Sequence, residues 1–148
     1  LKLGKNDIPK LEEYWRNYAQ IERQKRFREF ELLYQSKEEP TGGGRSNTIS
    51  KPTEQQVIKL SKDELYNNLS NIVDAIDSIY KQANEEERFI IHCRYLDDNV
   101  EVYEWEDIAH ELTKQRTDDK VISRNAVLRR RNKIMQQTAK EIGWVSII

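Results

Sequence analysis

The chain has 148 residues and a mass of 17.7 kDa, of which 36% are hydrophobic and 34% charged, with a mean hydropathy of −0.92. This length suits one domain with extensions or two small helical units, and the low apolar fraction excludes a single thick core. A formal net charge of −1 singles out no charged partner, so any electrostatic signal must lie in how the charges are distributed.

In chain order, Asp7 is positioned to cap a helix with Pro9 in its first turn. Leu11, Tyr14, Trp15, Tyr18 and Ile21 then repeat at helical spacing, followed by Phe27, Phe30, Leu33 and Tyr34 on a stripe displaced around the helix. One amphipathic helix of roughly 25 residues that meets two different surfaces is expected within 1–36. Residues 37–53 read as a linker, because Pro40, the Gly42-Gly43-Gly44 run and Pro52 cannot continue a helix. No strand precedes the glycines and no Gly-Lys-Ser/Thr follows them, so they are not a phosphate loop.

A central helix is expected over 54–83, opened by a Thr53/Gln56 capping box, with a second box at Ser61/Glu64 marking a bend. Leu65, Leu69, Ile72, Ile76 and Ile79 alternate spacings of four and three, a seam that serves an internal helix or an intermolecular one. Asn84 is placed to cap the next helix, with Glu85, Glu86 and Glu87 at its positive end. Phe89, Ile90, Cys93 and Leu96 supply its buried face. Val100, Val102, Tyr103 and Trp105 lead onward; only 100–103 has any strand character in an otherwise all-α map.

The last third carries the functional signal. A short helix over 106–112 can bury Ile108, Ala109 and Leu112, and after a polar connection Ser123 can cap a second, strongly basic helix beginning at Arg124. Between Thr113 and Gly143 stand nine lysines and arginines against three carboxylates. Two short helices with cations and amides on the second are the form in which a helix-turn-helix meets the major groove. Residues 84–148 are therefore expected to form a DNA-binding unit.

Enzymatic chemistry finds little support. His92 and Cys93 adjoin on a helix, where neighbours point about 100° apart, and no second cysteine exists to complete a zinc site. His110 lacks a His-Glu-x-x-His context. The pairs Asp97/Asp98 and Asp118/Asp119 sit in polar turns. No enzyme activity, metal or cofactor is expected. Cys93, being alone, excludes an intrachain disulfide and suits a reducing cytoplasm. No apolar run approaches the roughly 18–20 residues that span a bilayer, and Leu1-Lys2-Leu3-Gly4-Lys5 is too polar for a secretory signal.

The order of several segments resembles the late-operon transcription activators of phages and prophages, the RinA/ArpU type. The segments are Gly42-Gly43-Gly44-Arg45 through Pro52-Thr53-Glu54, Glu85-Glu86-Glu87-Arg88-Phe89-Ile90, Arg94-Tyr95-Leu96, Trp105-Glu106-Asp107-Ile108-Ala109 and Ser123 to Arg131. The final block also resembles region four of bacterial sigma factors. The resemblance covers roughly 41–144 and implies an all-α regulator of the bacterial host's cytoplasm that binds double-stranded DNA upstream of late genes. RNA polymerase is an implied further partner. The connection over 113–122 departs from the family form, being longer than a tight helix-turn-helix turn.

From these readings, Ser123, Arg124, Asn125, Leu128, Arg129 and Asn132 are the expected base contacts. Lys114, Arg116, Lys120, Arg130 and Lys133 are the expected phosphate contacts. A homodimer or low-order oligomer is expected through Trp15, Tyr18, Phe27, Phe30 and Leu33, or through the seam from Leu65 to Ile79. A small terminase subunit, which assembles into rings, and a helical adaptor that binds no DNA are the alternative functions.

Overall fold

The structure, a computed structural model, describes residues 2–34, 53–98 and 101–147. The described residues form seven α-helices and one π-helical turn, with no strand among them. The helices are α1 (Asp7–Arg16), α2 (Tyr18–Tyr34), α3 (Glu54–Lys62), α4 (Glu64–Gln82), α5 (Glu85–Ile91), α6 (Trp105–Gln115) and α7 (Arg124–Ile142). The π-turn, His92–Leu96, extends α5 directly. The expected linker lies outside the described residues except for Thr53, as do Asn99 and Val100 of the segment before Trp105.

The single N-terminal helix expected from the sequence is two helices. Asn17 leaves helical geometry at φ −102°, ψ 20°, and its amide turns back to the Glu13 carbonyl at 2.9 Å. The break lets the two displaced apolar stripes face different neighbours. Asp7 begins α1 and does not cap it; its carboxylate accepts the Gly4 N–H at 2.6 Å and the Ser146 hydroxyl, tying the N-terminal segment to the tail beyond α7. Those hydrogen bonds, from Ser146 foremost and then from Gly4, hold the Asp7 carboxyl below its ordinary range.

The central helix is likewise divided, at Asp63. The Thr53/Gln56 capping box forms as the sequence predicts, with bonds of 3.2 and 2.8 Å. At the second break the cap is Asp63 and not Ser61: Asp63 accepts the Tyr66 N–H at 2.8 Å, while the Ser61 hydroxyl donates to the Ile58 carbonyl. Asp63 is also gripped by Arg28 of α2 through two bonds of 3.0 and 2.7 Å. The guanidinium first and the Tyr66 N–H second lower its carboxyl to about 2. One aspartate thus opens α4 and fastens α2 to it.

Two buried clusters hold the fold. The first joins Leu11 and Trp15 of α1, Ile76 and Ile79 of α4, Ile91 and Tyr95, and Ile134, Met135 and Ala139 of α7. The second joins Ile90 and Cys93, Trp105, Ile108, Ala109 and Leu112 of α6, Ile122, and Val127 of α7. α7 crosses both, so the part of the chain from 84 onward shares the first cluster with α1 and α4. The π-turn divides the α5 segment between the clusters: Asp97 N–H bonds the His92 carbonyl five residues back at 3.0 Å, and Cys93 and Tyr95 enter opposite sides. Burial raises the Cys93 thiol to about 11, with Asp97 and Glu111 adding to it. Cys93 is a core side chain, as its spacing implies.

The expected oligomer surfaces are largely consumed within one chain. Trp15 is fully buried, with its indole N–H donating to Thr138 Oγ1 at 3.0 Å. Leu33, Leu69, Ile76 and Ile79 are buried and Ile72 half-buried, so the seam is intramolecular below Leu65. Tyr18, half-buried, bonds Asp77 of α4 and Glu22. Trp15 finds its core inside the chain because α1 docks on α7. Phe27, Phe30 and Leu65 remain exposed.

Candidate nucleic-acid interface

α7 owes its position to an apolar back face. Val127, Ile134, Met135, Thr138 and Ala139 are buried along it, while Ser123 caps its start by accepting the Ala126 N–H at 3.1 Å. Gly143, at φ 72°, ends it in the left-handed conformation that glycine adopts without strain. With the back fixed, helical spacing sets Asn125, Arg129, Asn132, Lys133, Gln136 and Lys140 along one exposed stripe. That stripe contains cations and amides and no carboxylate.

The sequence-predicted base contacts separate on this frame. Arg124, Asn125, Arg129 and Asn132 are exposed, and neither Arg124 nor Arg129 has an ion-pair partner among the described residues. The Ser123 hydroxyl accepts at the cap, leaving its proton to donate elsewhere. Leu128 does not belong to the stripe; it is half-buried against the second cluster beside Ala126. Gln136 and Lys140, not among the predicted contacts, continue the four-residue step from Asn132 along the stripe.

The phosphate candidates also divide. Lys114, Lys120 and Lys133 are exposed and without ion-pair partners among the described residues. Arg130 and Arg116 instead converge on Glu86 of α5, at 2.9 and 3.5 Å. Arg116 makes a second, two-pronged contact with Asp118, at 3.1 and 3.0 Å. Asp118, held below the ordinary carboxyl range chiefly by Arg116, also accepts the Lys120 N–H. Sequence alone offered no sign that Glu86, read only as a favourable charge at a helix start, would neutralise two arginines 30 and 44 positions later.

Arg131, the last of the Arg129-Arg130-Arg131 run, turns inward. It bonds Glu12 at 3.3 Å and lies 5.2 Å from the Trp105 ring, whose other neighbour is Arg94 at 4.1 Å. Glu12, only 7% exposed, also accepts the Tyr95 hydroxyl at 2.5 Å. Burial first, and the Glu12 bond next, raise the Tyr95 phenol above its ordinary value. Arg131 therefore braces α7 against α1 and α6.

The connection between α6 and α7, residues 116–123, is long but fixed. Thr113 Oγ1 accepts the Ile122 N–H at 2.9 Å and donates to the Ala109 carbonyl, which plugs Ile122 into the second cluster. Asp119 takes a positive φ of 58°, a conformation aspartate tolerates better than most side chains. α6 ends at Gln115, so part of the expected loop is helix and the exposed turn is 116–121.

Among the described residues, no three His, Cys, Asp or Glu side chains gather as metal ligands, and no helix is long and apolar enough to cross a membrane. His92 instead bridges Tyr80 at 2.6 Å and Asp97 at 2.8 Å. No curated protein and no solved structure matches the chain. A family model described as a protein of unknown function (DUF722) matches residues 8–140, from the first turn of α1 to the last turn of α7. The chain belongs to the DUF722 family.

Proposed function

We propose that this protein is a sequence-specific, double-stranded-DNA-binding regulator of transcription, acting on phage or prophage late genes as its RinA/ArpU resemblance implies. In this reading α6 and α7 act as a helix-turn-helix, and the N-terminal half of α7 enters the major groove. The observation that carries the reading is the carboxylate-free stripe from Asn125 to Lys140 on a helix whose opposite face is locked into both cores. Arginine pairs with guanine O6 and N7 and asparagine with adenine N6 and N7, so these side chains are suited to base edges. Lys114, Lys120 and Lys133 flank them as cations suited to phosphate.

The test is to incubate the full-length chain with fragments of the genome that encodes it and sequence those retained. Enrichment upstream of late genes is the expected result. Retention of no duplex even at low salt would leave the adaptor reading, and enrichment at a packaging site by a many-membered ring would favour a terminase subunit.

The ion pairs around Glu86 make a separate prediction. With about three unpaired lysines engaged, log K on random duplex should fall against log salt with a slope near −3. Glu86→Gln removes the carboxylate that Arg116 and Arg130 share. Random-duplex affinity is expected to rise and the slope to steepen by about one to two, measured by fluorescence anisotropy across a salt series. An unchanged slope would place both arginines out of phosphate reach.

A further inference from the structure

The face of α2 turned away from the core has no occupant among the described residues. Tyr18 reaches Asp77 and Lys25 reaches the Tyr66 ring from the core side. On the opposite side, helical spacing aligns Arg23, Phe27, Phe30, Glu31 and Tyr34. Phe27 is 60% exposed and Phe30 50%, with the Phe30 and Tyr34 rings 5.4 Å apart. Beside Phe27 runs a groove of about 480 Å³ between α2 and α4, floored by Leu69 and walled by Leu65. Large aromatics one turn apart in open water mark a contact surface.

We propose that this surface receives a second copy of the chain, two α2 helices packing antiparallel about a two-fold axis at Phe27. Such an axis sets each residue n positions after Phe27 opposite the residue n positions before it in the partner. Arg23 and Glu31 each stand four positions from Phe27, so each Arg23 meets the partner's Glu31, twice per dimer. Gln20 faces the partner's Tyr34, and Gln24 faces the partner's Phe30. A parallel pair would instead oppose arginine to arginine and glutamate to glutamate. This self-complementarity selects a second copy over an unrelated protein. Arg23 has no ion-pair partner among the described residues, and Glu31 has only the 3.5 Å contact with Arg28. The two lie about 12 Å apart along the helix, too far to pair with each other in one chain.

The full-length chain, without DNA, tests this by sedimentation equilibrium at about 0.1 M salt, where exposed charges remain incompletely screened. Wild-type protein is expected to dimerise. Arg23→Glu opposes two glutamates and Glu31→Arg opposes two arginines, and each is expected to raise the dimer Kd at least tenfold. Mixing the two variants restores both opposite-charge pairs, so a heterodimer approaching wild-type affinity is expected, identified by native mass spectrometry. Circular dichroism checks that each variant stays folded. A wild-type chain that is monomeric up to its solubility limit overturns the proposal. So does a dimer indifferent to both substitutions, or one that mixing fails to restore. Because no DNA is present, these outcomes are independent of what α7 binds.

Discussion

Trp15→Ala is expected to destabilise the protein by about 3–5 kcal/mol, the usual cost of emptying a large aromatic site in a core. Trp15 is fully buried with Leu11, against Tyr95 on one side and Ile134, Met135 and Ala139 of α7 on the other. Its removal also takes away the indole N–H that reaches Thr138. Set against a total stability of about 5–15 kcal/mol for a domain, this loss leaves a marginal fold. The urea midpoint followed by circular dichroism should fall sharply. For the same reason a fragment beginning at residue 84 should fail to fold, since Ile134, Met135 and Ala139 of α7 would lose Leu11, Trp15, Ile76 and Ile79 and face water. A Trp15→Ala protein within about 1 kcal/mol of wild type would mean that α1 does not hold α7 in place.

That dependence marks where sequence reading succeeds and where it stops. Local chemistry was legible: the Thr53/Gln56 box and the Asn84 and Ser123 caps are each fixed by residues within a few positions of one another. The buried face of α7, with Val127, Ile134 and Thr138, repeats at helical period. Pairings across long separations were not legible. Arg131 meets Glu12 across 119 positions, and Arg130 meets Glu86 across 44, and no periodicity distinguishes either arginine from exposed Arg129. The aromatics of the N-terminal segment showed the same limit: the two displaced stripes were legible, but not that Trp15 on the first would be core and Phe27 on the second surface, on helices divided at Asn17.

Arg129→Ala is expected to weaken binding to the sequence recovered from genomic selection by about 5- to 150-fold, the loss of one bidentate base contact worth about 1–3 kcal/mol. On random duplex the loss should be no more than about threefold, as befits one cation among several phosphate contacts. Arg129 is suited to this separation of effects because it is exposed, lacks an ion-pair partner among the described residues, and supports no packing. Its removal should leave the thermal midpoint unchanged. Lys140 provides the internal comparison. It lies on the same stripe but about 17 Å farther along α7, toward the end that a helix entering by its N-terminus keeps outside the groove. Lys140→Ala should therefore weaken selected and random duplex alike. If Arg129→Ala also weakens both equally, the stripe grips phosphates and does not read bases. Sequence discrimination would then have to reside at Arg124 and Asn125, the exposed residues at the tip of the same helix.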